Sequence, residues 1–178
     1  MRCYSEKALR DIQFDKAGYE RFLTEQGLSE HDIKRLNICL LTDFTCSHFK
    51  DCVDLAPGGT YFHRCREYVE QENKTTLAFY RPYDLPDSKN AAIFLRPAKC
   101  HTPAHLNQTF LHETRHHIQH CLKLPCCSAA NTDVENEAHR AKNQPWEIDA
   151  DQFAMMYVNR VAFFVLPASR PPKRSDLL

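Results

Sequence analysis

The sequence predicts an α+β fold, on three observations. The amino-terminal third carries apolar residues at helical spacing between capping residues, over Asp15–Gln26 and again from Ser29. Two short segments further on, Thr75–Tyr80 and Ala91–Leu95, are β-branched, aromatic or continuously apolar and read as strands. The remainder returns to helical periodicity, from about Ala104 to Leu122 and again from Pro145. At 178 residues, the chain suits one domain and buries a core without staples.

In chain order, the first helix places Tyr19, Phe22 and Leu23 on one face and ends at Gly27, a natural cap position. Ser29 caps a second helix expected to run through Ile33, Leu36, Ile38 and Leu40. Residues 1–70 are thus expected to form a mainly helical scaffold. Pro57-Gly58-Gly59 marks a turn, and Tyr61–Val69 suits either a strand or a short helix. Pro82, Pro86 and Asp87 mark the loop between the two strands, and Pro97 and Pro103 bound the connection to the helix over Ala104–Leu122. Beyond Leu124-Pro125, Ser128–Asn131 reads as loop. Thr132-Asp133-Val134-Glu135 has capping-box form and opens a short exposed helix over Val134–Lys142. Pro145 suits the first turn of the last helix, which is expected to continue into Val161–Leu166 and dock in the core. That segment is too short, and interrupted by Arg160, to span a membrane. Residues 167–178 form a basic, proline-rich tail expected to be disordered.

The helix over Ala104–Leu122 carries Phe110-Leu111-His112-Glu113-Thr114-Arg115-His116, which contains the H-E-x-x-H pattern of zinc hydrolases. Residues four apart project from one side of a helix, so His112 and His116 can offer two imidazole nitrogens to one ion. Glu113, at the rim of that face, can reach a water at the ion without ligating it, as a general base must. Ten histidines make a chance match easier, so the flanking pattern carries weight. Phe110, Leu111, Thr114, Ile118, Cys121 and Leu122 form a broad face opposite the two histidines, giving the helix a core side and a chemical side.

A catalytic zinc takes three protein ligands and keeps one position open. On the helix from Pro145, Glu147 and Asp151 share a face and Asp149 points roughly the opposite way. Glu147 is the expected third ligand and Asp149 the fallback. Asp151 is expected to accept the second ring N–H of a ligating histidine, fixing its tautomer. Ala150 and Ala154 are small enough to let the two helices approach. His105 lies two turns before His112, too far to share the ion. His120 is expected at the cleft or in solvent, and His117 at the surface.

His112-Glu113-x-x-His116 followed by Glu147-x-x-x-Asp151-x-Phe153-Ala154 resembles the gluzincin arrangement. It is most similar to the compact ImmA/IrrE-type metallopeptidases, whose second helix carries Glu-x-x-Ala-Asn-x-Phe-Ala; Asp151 here replaces the asparagine. The resemblance covers residues 75–165. It implies a zincin-like fold, with a small mixed sheet packed over the active-site helix and a catalytic core over 75–166. It further implies one catalytic Zn²⁺ and peptide-bond hydrolysis of a protein or peptide substrate. In such a fold an extended substrate pairs with a sheet edge; Ala91–Leu95, nearest in sequence to the helix, is the chosen edge, and an internal strand with no substrate role is the equal alternative.

Lysine plus arginine balance aspartate plus glutamate at 23 each, so nothing in the charge predicts a nucleic-acid or anionic-membrane partner. Oligomeric state is not encoded in any legible pattern. Met1–Lys7 is polar with no apolar stretch behind it, so the expectation is a cytoplasmic protein whose nine cysteines are mostly reduced and buried. Cys46, His48, Cys52, His63 and Cys65 could bind a second zinc chemically, but their spacings fit no compact pair, and Cys126-Cys127 is equally irregular. Two other functions stand beside hydrolysis. A zincin-fold regulatory protein could act by binding a partner, which would give Glu113 no purpose. A purely structural zinc site would be unusual without cysteine ligands.

Overall fold

Among residues 1–5, 9, 11–42, 77–82, 90–125 and 144–165, which the computed structural model describes, the chain forms four helices and a small mixed sheet. Strands β1 (Arg2–Ser5), β3 (Leu36–Leu40), β5 (Ala91–Leu95) and β4 (Ala78–Arg81) lie side by side in that order. β1 and β5 run parallel to β3, with Leu36 opposite Ala91 and Leu40 opposite Leu95, and β4 runs antiparallel to β5. Every residue of β3 and β5 is buried, as expected of central parallel strands covered on both faces. β2 (Gln13–Phe14) and β6 (Phe164–Val165) form a separate antiparallel pair.

The side-chain alternation of the strands sends Leu36, Ile38, Leu40, Ala91, Ile93 and Leu95 into one core, shared with Leu106, Phe110, Leu111 and Ile118 of helix α3 (Pro103–Leu122). Helix α1 (Lys16–Glu25) adds Tyr19, Phe22 and Leu23, and helix α4 (Pro145–Tyr157) adds Phe153 and Ala154. Phe14, Tyr19, Phe110, Phe163 and Phe164 interlock at centroid separations from 4.7 to 6.0 Å. Within this apolar mass Thr114 donates to the Phe110 carbonyl at 2.8 Å, so the Tyr19 hydroxyl donates to Thr114 Oγ1 at 2.9 Å.

The caps explain where the helices begin and end. The Asp15 carboxylate accepts from the Gly18 N–H, Ser29 Oγ from Asp32, and Thr102 Oγ1 from His105. Gly27 closes α1 at φ +89°, a conformation glycine adopts without strain. Lys123 takes the corresponding left-handed position after α3, at φ 50°. Beyond α4 the chain turns over residues 158–160, and the buried Asn107 side chain on α3 donates to the Val161 carbonyl and accepts from the Phe163 N–H.

Four expectations are corrected. Helix α2 stops at Lys34, and Leu36–Leu40 is strand β3, because a run of buried apolar residues satisfies either period and here completes a sheet. Ala91–Leu95 is an interior strand between β3 and β4, so among the described residues β4 is the edge near α3. The last helix ends at Tyr157, and Phe164–Val165 pairs with β2. His117 is fully buried. No described helix is long and apolar enough to cross a membrane. Cys3, Cys39, Cys100 and Cys121 are outside any disulfide, with Cys39 buried and Cys3 exposed. The candidate Cys/His group from Cys46 to Cys65, Cys126-Cys127, the Pro57-Gly58-Gly59 turn, the Val134–Lys142 helix and the tail lie outside the described residues.

Two outcomes test this core. Tyr19→Phe removes one buried hydroxyl but leaves Thr114 bonded, so urea denaturation should register a loss of about 1 kcal/mol, whereas Phe110→Ala should lose about 3–5 kcal/mol. Burial, joined by the charge of His120, pushes the His117 ring down to about 4. The unfolded chain therefore takes up this proton first as pH falls. The contribution is whole above about pH 6.5 and is lost towards about pH 4, by on the order of 3 kcal/mol. Stability curves of wild type and His117→Gln should diverge across that window, the variant lacking this acid limb.

Candidate metal centre

The site is built where α3 and α4 pack along one another. Ala150 and Ala154 are buried in that contact, and their small side chains let the α4 backbone approach α3. One turn of α3 separates His112 from His116, and their rings meet at nearly right angles with centroids 4.8 Å apart. Their Nε2 atoms stand 3.1 Å apart. Glu147, in the first turn of α4, brings Oε2 to 3.1 Å from His112 Nε2 and Oε1 to 3.5 Å from His116 Nε2. His112, His116 and Glu147 thus converge as one group able to hold a metal ion. In a tetrahedron with zinc–nitrogen bonds of 2.0–2.1 Å, ligand atoms stand about 3.3 Å apart. The Nε2–Nε2 and His112 Nε2–Oε2 separations lie near that edge, the His116 contact runs to the other carboxylate oxygen, and two imidazoles with one carboxylate form a donor set that zinc accepts.

The surrounding groups fix the orientation of each ligand. Asp151 Oδ1 lies 2.8 Å from His112 Nδ1, where the sequence places it. His116 Nδ1 lies 2.9 Å from Gln119 Oε1. Asp149 does not turn towards the ligands: Arg115 grips it through Nε at 2.6 Å and Nη2 at 3.1 Å, and Gln119 Nε2 donates to it at 2.7 Å. Arg115 also lies over the Phe153 ring at 5.0 Å. Asp149 is thereby corrected from fallback ligand to anchor, because its oxygens are occupied by that fork.

Burial disfavours charge on His112, yet the Glu147 hydrogen bond and the nearby Glu113 and Glu147 carboxylates outweigh it and raise the ring to about 9. The same balance raises His116. Burial also opposes ionisation of Glu147, but hydrogen bonds from the two imidazoles hold its carboxyl near about 2. The two imidazoles and the Glu147 carboxylate thus sit in mutual contact. Glu113 behaves differently. It is buried, and that burial raises its carboxyl against the pull of His116 and His112, while the backbone N–H of Tyr80 donates to it. Tyr80 lies on β4, where Phe79 and Tyr80 pair with Phe94 and Ile93 and the Arg96 N–H bonds the Leu77 carbonyl. That alternation turns the Tyr80 N–H outward from β5, towards α3.

The Tyr80 hydroxyl lies 3.1 Å from His117 Nδ1, and the Cys121 sulfur lies within 3.7 Å of both ring nitrogens. His117 is thus a buried strut between β4 and α3. Alongside the ligands, a cavity of about 220 Å³ is lined by His105, Gln108, Thr109, His112, Asp151 and Ala154. Sequence reasoning missed Gln119, Arg115 and the Tyr80 main chain. Gln119 sits three residues after His116, on the same helical face, and that spacing was the available signal.

The Arg115–Asp149 fork is half-buried and bidentate, so a double-mutant cycle in urea should give a coupling of about 1–3 kcal/mol, above the 0.2–1 kcal/mol of exposed pairs. A coupling inside the exposed range would show that the fork does not form in solution. No family model, no curated protein and no solved structure matches this chain, so the meaning of the site rests on its own geometry.

Proposed function

We propose that this chain is a zinc-dependent hydrolase with a zincin-like arrangement, acting as a metallopeptidase on a protein or peptide substrate. One observation carries the reading: two Nε2 atoms and a carboxylate from separate helices converge with separations of 3.1, 3.1 and 3.5 Å, beside a glutamate that is not part of the cluster. His112, His116 and Glu147 would hold the ion. Bound there, zinc would supply Lewis acidity and lower the pKa of a water at its open position towards about 7.

Glu113 then takes the proton of the attacking water and returns it to the leaving amine as the peptide bond breaks. Its burial makes it a stronger base than a solvated glutamate, and the Tyr80 N–H holds one side of the carboxylate in place. Asp151 keeps His112 turned with Nε2 towards the site. The strand an extended substrate would meet is β4, the edge among the described residues, with the outward-facing main chain at Ala78 beside it.

Metal content and turnover, measured on the same preparations, test the proposal. Wild type should carry about one zinc per chain, and Glu147→Ala should lose or weaken it. Glu113→Gln should keep the zinc and lose about 10²–10⁴-fold in peptide hydrolysis. A folded wild type that refuses zinc would sink the enzyme reading. A biological activity that survives in zinc-loaded Glu113→Gln would replace hydrolysis with partner binding.

A further inference from the structure

Gln119 is 1% exposed, and both ends of its amide are bonded. The nitrogen donates to the Trp146 carbonyl at 2.8 Å and to Asp149 Oδ2 at 2.7 Å. The oxygen lies 2.9 Å from His116 Nδ1. A main-chain carbonyl has no hydrogen to give, and neither does a carboxylate gripped by a guanidinium. The amide therefore has one sustainable orientation. Turned over, it would set its oxygen against two acceptors and lose two buried hydrogen bonds, each costly to leave unmade. With the oxygen held towards the ring, His116 must present a hydrogen on Nδ1, because an amide oxygen only accepts. A neutral ring in that form carries its lone pair on Nε2, the atom that meets His112 and Glu147.

We infer that Gln119 is a positioning residue that holds His116 in the Nδ1–H form with Nε2 free for the ion, its own amide locked by the Arg115–Asp149 fork and the Trp146 carbonyl. The inference deepens the zinc-site reading and rests on it for its consequence, although the ring form itself does not need the metal. Asp149 and Trp146 belong to α4, as does Glu147, so one side chain ties the His116 tautomer to the helix that supplies the third ligand. The two histidines are also oriented by unlike partners, His112 by a carboxylate and His116 by a neutral amide. A ring free to place its hydrogen on Nε2 would spend part of its population unable to ligate, and apparent affinity falls in proportion to the competent fraction.

The test uses the full chain with ring-¹⁵N-labelled histidine, metal-free in alkaline buffer where the rings are neutral, together with zinc titration against a competing chelator. Wild-type His116 should show its hydrogen on Nδ1. Gln119→Leu, which keeps bulk and removes both bonding ends, should populate the Nε2–H form and bind zinc about 10–100-fold more weakly. Gln119→Met, which follows the same side-chain path without an amide, should give the same change in ring form and the same loss of affinity. Wild-type His116 with its hydrogen on Nε2 would overturn the inference whether or not either variant folds. A folded Gln119→Leu with unchanged ring signals and zinc affinity would overturn it too. Wild type with the Nδ1–H ring but no zinc uptake would instead remove the metal reading and leave the ring assignment standing.

Discussion

The contact between α3 and α4 is the constraint on which the rest of the molecule depends. Two of the candidate ligands come from one helix and the third from the other, so their convergence is a statement about helix register. Alanine at 150 and 154 sets how close the helices come, and the Arg115–Asp149 fork sets where along one another they stop. A slide of one helical turn would move Glu147 by about 5.4 Å, more than the whole span of the ligand cluster. Apolar packing tolerates small slips, whereas a bidentate pair with fixed geometry does not.

That contact needs a foundation, and the core supplies it from the other side of α3. The aromatic group of Phe14, Tyr19, Phe110, Phe163 and Phe164 fills the space between α1, α3 and the β2–β6 pair. Asn107 stitches the chain after α4 back onto α3, so α4 is tethered beyond its carboxy-terminal end and forked near its amino-terminal one. The two sides of α3 divide the labour: Leu106, Phe110, Leu111 and Ile118 join the core, and His112 and His116 face Glu147.

Local sequence made the chemistry more legible than the architecture. His112, His116, Glu147 and Asp151 could be placed because helical spacing fixes which residues share a face, and start signals such as Ser29 and Pro145 mark where helices begin. Leu36–Leu40 was misread because a fully buried strand and a buried helix share the same apolar pattern. Strand order was hidden for a different reason: nothing within Ala91–Leu95 says that β4 will cover its outer side, since pairing partners lie far away in sequence. His117, expected at the surface, is buried because Tyr80 and Cys121 flank its ring, and neither contact is visible in local sequence. Asp149 needed Arg115 across the interface to show its role.

The Tyr80 N–H that holds Glu113 is a main-chain group, and this changes how the site responds to drift in sequence. A side-chain donor is lost by any of many substitutions. A peptide donor persists through all of them except proline, which alone lacks the hydrogen. The placement of the base is therefore inherited from the strand rather than from the identity of residue 80. That position can vary under other pressures, such as its contact with His117, without loosening the Glu113 carboxylate.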